Sequence, residues 1–593
     1  MNDPILRLRE DAYWVADDTG ITALTHRGFS TLTMSGADRW LERLAPYLDG
    51  QHSMNEFLAS APEDAREFIE RLLRKLIDRG LVGALDAHPL ADTPEVSLIG
   101  YFRPDAATIV DTWRRRRTTV VGRRRLADAI ATACGRAGMC DVVRAPEAIP
   151  DTGQVVQVAA SSDVDSLQLV ESGCTVRGLP LLQIVLDGSV AWIAPPALPF
   201  SSARPRIWAR SQPAVDPAEP AETVLANHVT QLLLHYDRTD RHPVQLTRFD
   251  APDLAFSTHR CVPAPLSAPA RVESEGEFDR RFRTLIGAEP RSAEQFSRAA
   301  AVLTDGYIGV FDKVEEGDLV QSPLRVAQTT VTLPGRRQRV CGVSIDAAQA
   351  RYAAATEAIR CYSSLVVDSR RLVRGSMVRA FDLVTERPTL LRATLAFASA
   401  DGTDRYRAPT GLAAALDLTD AIDAGLIDHC RRRTVTESRT ATHPFPRIDP
   451  ADSRDDVVGY CRTMLAAIGC RVEVFDVTGS LGVPTYAVLL DGATVAYGCG
   501  TDNAAALRDG MLAALAAWQS RHAGQPEYAL ATVAELPGGV RGDAEPMADR
   551  DPLQRRNLVD ALMIGGYAVV VAVLDHDSQV HDVLPVVQVS VTR

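Results

Sequence analysis

The stretch Asp420–Arg433, DAIDAGLIDHCRRR, sets acids at Asp420 and Asp428 immediately ahead of Arg431, Arg432 and Arg433. Magnesium is a hard cation that takes carboxylate oxygens together with substrate phosphates. A guanidinium placed among such carboxylates reverses the local field. An acid-bearing segment that runs into three arginines is therefore a poorer magnesium site than its carboxylates alone would make. Other chemistries are excluded at the outset. The only lysines are Lys75 and Lys313, and neither follows a glycine, so there is no Walker-type phosphate loop. The ten cysteines include no C-x-x-C pair, which argues against a zinc knuckle and for reduced, buried thiols. His443 lies in His-Pro-Phe-Pro and reads as a loop entry; no Ser/His/Asp constellation stands out, so the histidines are expected to be structural or at the surface.

These residues must be positioned by a large scaffold. The chain has 593 residues, enough for three or four domains at roughly 150 residues each. Its 46% apolar content is that of a globular protein. The net charge of −12 argues against a dedicated nucleic-acid binder. No apolar run reaches the roughly 18 residues of a membrane span, and the start, MNDPILRLREDAYW, has no basic-then-apolar signal. The expectation is a cytoplasmic α/β multidomain protein.

At the N-terminus, Ile5–Leu8, Tyr13–Val15, Ile21–Leu24 and Gly28–Met34 read as short strands. Ser35 is the expected cap of a helix containing Trp40, Leu41 and Leu44. A short helix follows around Met54–Leu58, and Pro62 opens a long amphipathic one that includes Phe68, Ile69, Leu72, Leu73, Leu76 and Ile77, with Gly80 at its C-cap. A small sheet followed by three helices resembles the PqqD-like peptide-recognition domain, a winged helix-turn-helix. The resemblance implies that residues 1–88 bind a leader peptide by strand addition along Phe29, Ser30, Thr31, Leu32, Thr33 and Met34. Apolar side chains of the leader would enter a groove beside Ile69, Leu73 and Ile77, and Arg66, Arg71, Arg74 and Lys75 would meet its acidic residues. The bland alternative for these bases is a solvated helix face.

Residues 92–265 resemble a ThiF-like α/β domain. Thr118–Gly122 with its following Ala-rich helix, the strand QVVQVAASSD, and Gly178–Phe200 carry the likeness. The glycine fingerprint that lets a backbone approach phosphates is absent, because Gly122 is followed by Arg123, Arg124 and Arg125. The cluster Arg114–Arg117 plus Arg123–Arg125 reads as a solvent- or partner-facing patch, with anion or RNA binding as the alternative. Residues 205–222 read as a loop, and 262–275 as an interdomain linker.

Residues 276–593 resemble the YcaO family, whose members use ATP and magnesium to convert amides next to Cys, Ser or Thr into azolines. Asp305–Gly309, Ala353–Tyr362, Ala408–Ala415, Asp420–Arg433, Val472–Pro484, Ala506–Arg521 and the strand Leu584–Val591 carry the resemblance, which implies an α+β domain. At the implied ligand positions the chain keeps Glu357, Asp420, Asp428 and Gln519. It departs at Arg360 and Cys361, at Pro409 and Thr410, at Arg431 and Arg433, and at Leu515; Cys341-Gly342-Val343 replaces a G-K-G turn. The full order resembles the Ocin-ThiF-like proteins. That implies a non-catalytic scaffold without a cofactor of its own, which presents a ribosomal precursor peptide to a partner YcaO cyclodehydratase holding the ATP and magnesium. An FMN azoline dehydrogenase and a homo- or hetero-oligomeric assembly would complete such a system. Two alternatives stand beside it: an active, ATP-dependent fused cyclodehydratase, and a winged-helix DNA-binding regulator, against which the size of the C-terminal region argues.

Overall fold

The computed structural model describes most of the chain; residues 1–2, 10, 18–19, 26–27, most of 86–105, 123, 146–147, most of 196–211, 236–244, 266–269, 317–320, 334–335, 399–407, most of 526–532 and 593 lie outside the described residues. The chain divides into two compact units. One comprises Met1–Ala197, Pro213–Arg241 and Arg248–Phe256; the other comprises Leu198–Gln212, His242–Thr247 and Ser257–Arg593. The fold is mixed α/β throughout. Among the described residues no helix is long and apolar enough to cross a membrane.

The first unit opens with β1 (Ile5–Leu8), β2 (Tyr13–Asp17), β3 (Gly20–Thr25) and β4 (Gly28–Thr33). Strands β2, β3 and β4 form one antiparallel sheet in which β4 is an edge. After α1 (Ala37–Leu44) comes β5 (Asp49–Ser53), which pairs with β1, as does β6 (Val82–Leu85) beyond α2 (Met54–Ser60) and α3 (Arg66–Asp78). Two helix starts differ from the sequence expectation. Ser35 does not cap α1; Gly36 does so in a left-handed conformation (φ 79°) without a side-chain bond. Pro62 instead makes the turn before α3, its carbonyl accepting the Ala65 N–H, and the helix begins at Arg66. The cap of α2 is a full capping box between Ser53 and Glu56.

Beyond α4 (Ala106–Arg115), strands β7 (Thr118–Val121), β8 (Val142–Ala145), β9 (Gln154–Ala160), β10 (Leu181–Asp187) and β11 (Val190–Ala194) lie in the order β11-β10-β9-β7-β8. All but the β10–β11 hairpin are parallel pairs. Helices α5 (Arg125–Arg136) and α7 (Glu219–His235) cover one face through Leu126, Ile130, Leu225 and Val229, and α6 (Val164–Arg177) covers the other through Val170 and Cys174. Helix α7 starts at Glu219, so the expected loop of 205–222 ends earlier than its composition suggested. The chain then passes between the units along β12 (Gln245–Asp250) and β13 (Ala255–Arg260).

In the second unit, α8 (Glu275–Ile286) and α9 (Ala293–Ala300) precede the hairpin β14 (Arg325–Leu333) and β15 (Arg336–Ser344), which packs against α10 (Ala347–Leu365). One five-stranded sheet joins β16 (Met377–Asp382), β17 (Arg387–Arg392), β18 (Leu412–Ala414), β24 (Ala568–Val573) and β25 (Val586–Thr592) in the order β17-β16-β24-β25-β18. A second joins β19 (Phe445–Ile448), β20 (Val472–Asp476), β21 (Thr485–Leu490), β22 (Ala493–Cys499) and β23 (Arg541–Ala544) in the order β22-β21-β20-β19-β23. Helix α11 (Leu418–Arg439) lies on β18 and β25; α12 (Asp456–Ala467) and α13 (Asn503–His522) pack together, with α13 against β21 and β22. Helix α14 (Arg555–Ile564) leads into β24.

The sequence showed no Ser/His/Asp constellation and pointed to structural or surface histidines. Ser257, His259 and Asp305 do form a chain: Ser257 Oγ is 2.8 Å from His259 Nε2, and His259 Nδ1 is 2.8 Å from Asp305 Oδ2. The other oxygen of Asp305 accepts the Tyr307 and Ile308 N–H groups. This chain ties β13 to the Asp305–Gly309 turn.

Candidate functional site

The site is built on a turn that only glycine permits. Gly411 has φ +83°, and a Cβ there would lie 2.2 Å from the Val589 carbonyl oxygen and 2.5 Å from His429 Nε2. Gly425 in α11 makes the matching gap: a Cβ would lie 2.5 Å from Val589 Cγ2 and 2.8 Å from the Gly411 carbonyl. The turn is then held from every side. Asp428 Oδ2 accepts the Gly411 N–H (2.9 Å), and Val589 N–H donates to the Gly411 carbonyl (2.9 Å). Gln588 Nε2 donates to the Thr410 carbonyl (2.6 Å), and Arg432 donates to the Thr410 hydroxyl. His429 Nε2 lies 2.9 Å from the Val589 carbonyl; burial holds its pKa below the ordinary range, so the ring is a neutral donor here.

Around this turn the helices bring charges of both signs. From α10, Arg360 forks onto Glu357 with two bonds of 2.7 Å and gives its third edge to the Leu412 carbonyl at 3.1 Å. From α11, Arg431 bonds Asp428 at 2.5 Å. From α13, Asp509 lies 4.0 Å from Arg431 and accepts the Cys499 N–H at 3.2 Å. Half of the Asp509 side chain meets solvent, yet desolvation by the surrounding protein raises its pKa, with Arg431 opposing and Asp428 reinforcing the rise. Burial makes the nearby thiols poor nucleophiles. Burial, with the Glu357 charge second, pushes Cys341 up to about 11; burial likewise pushes Cys430 to about 12 and Cys499 to about 11.

The structure brings together Glu357 and Asp428 of the expected residues, and adds Arg360, Arg431 and Asp509. Asp420 stands in the first turn of α11, bonded at its N–H by Asp417. Its pKa is raised by burial first and then by Asp417 and Asp423; that of Tyr352 on α10 is raised by burial first, with the Asp420 charge adding to it. Gln519 plays another part: its carbonyl accepts the Leu324 N–H (2.9 Å), and its amide donates to Gln321 (3.1 Å) and to the Leu324 carbonyl (3.4 Å). Its polar atoms are spent on the 321–324 segment. Leu515 lies wholly inside an apolar cluster with Val488 and Met511, so an acid there would face the core. Arg433 pairs with Glu437 at 2.7 Å and lies over the Tyr567 ring. Asp509 was overlooked because nothing in its spacing marks it; the signal was an acid six residues before Leu515 on a helix that is otherwise nearly all apolar there.

In the first unit, β4 is the sheet edge, with Phe29, Thr31 and Thr33 exposed, Ser30 partly covered, and Leu32 and Met34 in the core. Ile69 and Leu73 are buried in the domain's own core, and Ile77 is partly buried. Arg66, Arg71, Arg74 and Lys75 are exposed; Arg74 pairs with Glu70, and Arg79 donates to the Thr31 carbonyl. The arginine patch is largely satisfied within the chain. Arg114 meets Glu95, Arg115 meets Asp111, Arg124 meets Asp216, and Arg125 meets both Glu222 and the Pro217 carbonyl; Arg123 lies outside the described residues. Gly122 is required by close packing, since a Cβ would lie 2.2 Å from the Val158 carbonyl.

Residues 373–591 match the YcaO cyclodehydratase family, described as ATP- and Mg2+-binding. Among solved structures, a heterocyclase in complex with substrate and cofactor is similar over 99% of this chain and 94% of its own, at 14% identity and a TM-score of 0.69. The heterocyclase TruD is similar over the same shares at 15% identity and a TM-score of 0.62. No curated protein sequence matches. The chain thus carries a YcaO domain at its C-terminus and shares the fold of these multidomain heterocyclases along nearly its whole length. This overturns two expectations. A non-catalytic chain, and a chain without a cofactor of its own, were inferred from lost acids; the family match is to an ATP- and magnesium-binding enzyme domain. Two of the presumed losses, at Leu515 and Arg433, are at positions whose side chains face the core or a neighbouring ring.

Proposed function

We propose that this chain is itself an ATP-dependent cyclodehydratase that forms azoline rings at Cys, Ser or Thr residues of a ribosomal peptide. The observation that carries the reading is the convergence of Glu357–Arg360, Asp428–Arg431 and Asp509 on the Thr410–Leu412 turn, all but the Glu357–Arg360 pair lying within the stretch 373–591 that matches the YcaO family. ATP, with magnesium, supplies the phosphoryl group that makes an amide oxygen a leaving group.

The donor set fits that cofactor in one form. The described residues contain no group of three or more side chains able to hold a metal ion, so a magnesium ion would take most of its oxygens from phosphate and water. Asp420, whose charged neighbours are mostly carboxylates, is the acid best placed to add one. Arg431 and Arg432 would meet phosphate oxygens; Asp428 and Asp509 hold Arg431 in orientation, and Glu357 holds Arg360 against the turn. Gly411 and Gly425 let the turn sit close enough to α11 for this to happen.

In this reading residues 1–88 are a winged-helix recognition domain for the leader, residues 92–265 a ThiF-like domain that makes no adenylate, and 276–593 the catalytic domain. The edge position of β4 and the exposed Phe29 support strand addition there, with a leader strand replacing Arg79 on the Thr31 carbonyl. Incubating the purified full chain with ATP, magnesium and a precursor rich in Cys and Ser tests the activity. Mass spectrometry should show loss of one water per ring, and no loss without ATP. An unchanged peptide mass, with the chain folded and the leader bound, would remove the reading.

A further inference from the structure

Building on the nucleotide-binding reading above, we infer that Arg431 takes over positive charge that metal ions would bring to the phosphates, so this chain holds ATP with little dependence on magnesium. Apart from Asp420, each acid beside the turn is already answered by a guanidinium or an N–H. Both oxygens of Glu357 lie on Arg360. The two oxygens of Asp428 take Arg431 and the Gly411 N–H. Asp509 takes the Cys499 N–H and faces Arg431. A metal ion seeking these carboxylates would have to displace a guanidinium from each of the first two, at the cost of leaving it unpaired. A triphosphate meets no such obstacle, because a guanidinium's planar fork matches phosphate as it matches carboxylate.

The geometry also shows which edge is available. Arg360 is committed on three sides, to Glu357 twice and to the Leu412 carbonyl once. Arg431 is 44% exposed; its Nη2 is bonded to Asp428, while Nη1 stands 4.0 Å from Asp509, beyond hydrogen-bond reach. That Nη1 edge, on a half-exposed side chain, is the one Asp428 does not hold. Arg431 is therefore the phosphate contact, and Asp428 and Asp509 are its positioning residues. The acids here aim arginines; they do not cage metals.

Isothermal titration calorimetry of the full chain with ATP, in excess magnesium and in EDTA, tests this. The two dissociation constants should agree within about threefold, well under the roughly 10- to 100-fold that one charge-assisted hydrogen bond is worth. Arg431→Glu should weaken binding by about 10- to 100-fold in EDTA and regain at least about tenfold when magnesium is added. Arg431→Gln should weaken binding equally in both buffers. ATP binding seen only with magnesium, in wild type and Arg431→Glu alike, would overturn the inference and leave the nucleotide reading intact. Absence of ATP binding in both buffers, with the circular dichroism of a folded chain, would overturn both. If Arg431→Glu does not fold, the wild-type comparison between buffers still decides.

Discussion

At the scale of single residues, the proposed site rests on ion pairs whose two halves come from different sequence signals. Glu357 was legible from its motif; its partner Arg360 stood where an acid was expected and read as damage. The structure gives that arginine a fork on Glu357 and a carbonyl beyond it. Replacing Glu357 by Gln should therefore weaken ATP-dependent ring formation by about 100-fold or more, the cost of losing a preorganised charged contact in a transferring site. ATP affinity, measured by calorimetry, should fall less. A second prediction concerns the buried histidines. His576, whose Nδ1 accepts the Asp368 N–H, has its pKa pushed down to about 4, by burial first and Arg371 second. The unfolded chain takes up that proton below about pH 6.5, whereas the folded chain does so only near pH 4. The stability is thus fully present above the unfolded pKa and is lost as pH falls through this window, up to about 3 kcal/mol for this group. Thermal unfolding followed from pH 7 to pH 4 should show the fall, and His576→Gln should flatten it; an unaltered slope in the variant would remove His576 as the cause.

At the scale of elements, the decisive feature is how closely a turn approaches a helix. The sequence shows Gly411 and Gly425 as two ordinary glycines, one in a turn and one inside a helical pattern. Their meaning lies in β25, more than 160 residues further on, whose Val589 packs against both. Periodicity reaches only local neighbours, so this contact was not readable from the chain. Gly425→Ala would drive a methyl group into Val589 and the Gly411 carbonyl. It should cost about 1–3 kcal/mol in chemical denaturation, the usual penalty for overpacking, and lower ATP affinity as the turn shifts. Gly459, in α12 with nothing within 4 Å of an added Cβ, is the control, and its change to Ala should be neutral or stabilising. The strands and helices themselves were mostly legible: α10, α11 and α13 lie where their motifs put them, and β2–β4 follow the apolar pattern. Helix starts were not, because Gly36 caps by conformation and Pro62 makes a turn that no composition rule separates from a first helical residue. At the sheet edge, Phe29→Ala should leave the fold intact while weakening leader binding in fluorescence polarisation. Leu32→Asp should unfold the domain, since Leu32 is 2% exposed in the core.

At the scale of the whole molecule, nearly the full length shares its fold with two heterocyclases, and residues 373–591 match an ATP- and magnesium-binding family. The inference of a silent chain went wrong through its premise that each absent carboxylate was an absent ligand. Leu515 faces a core, Arg433 faces Tyr567, and Asp509 supplies an acid the alignment of motifs did not expect. The central claim is that this single chain activates an amide oxygen with ATP. A precursor peptide carrying heavy oxygen in the carbonyl before a reactive Cys tests it most directly. With the purified chain, ATP and no other protein, each ring formed should release one phosphate-bearing product that carries the heavy oxygen. Rings and labelled phosphate appearing only after a second YcaO protein is added, or phosphate released without label, would contradict the account.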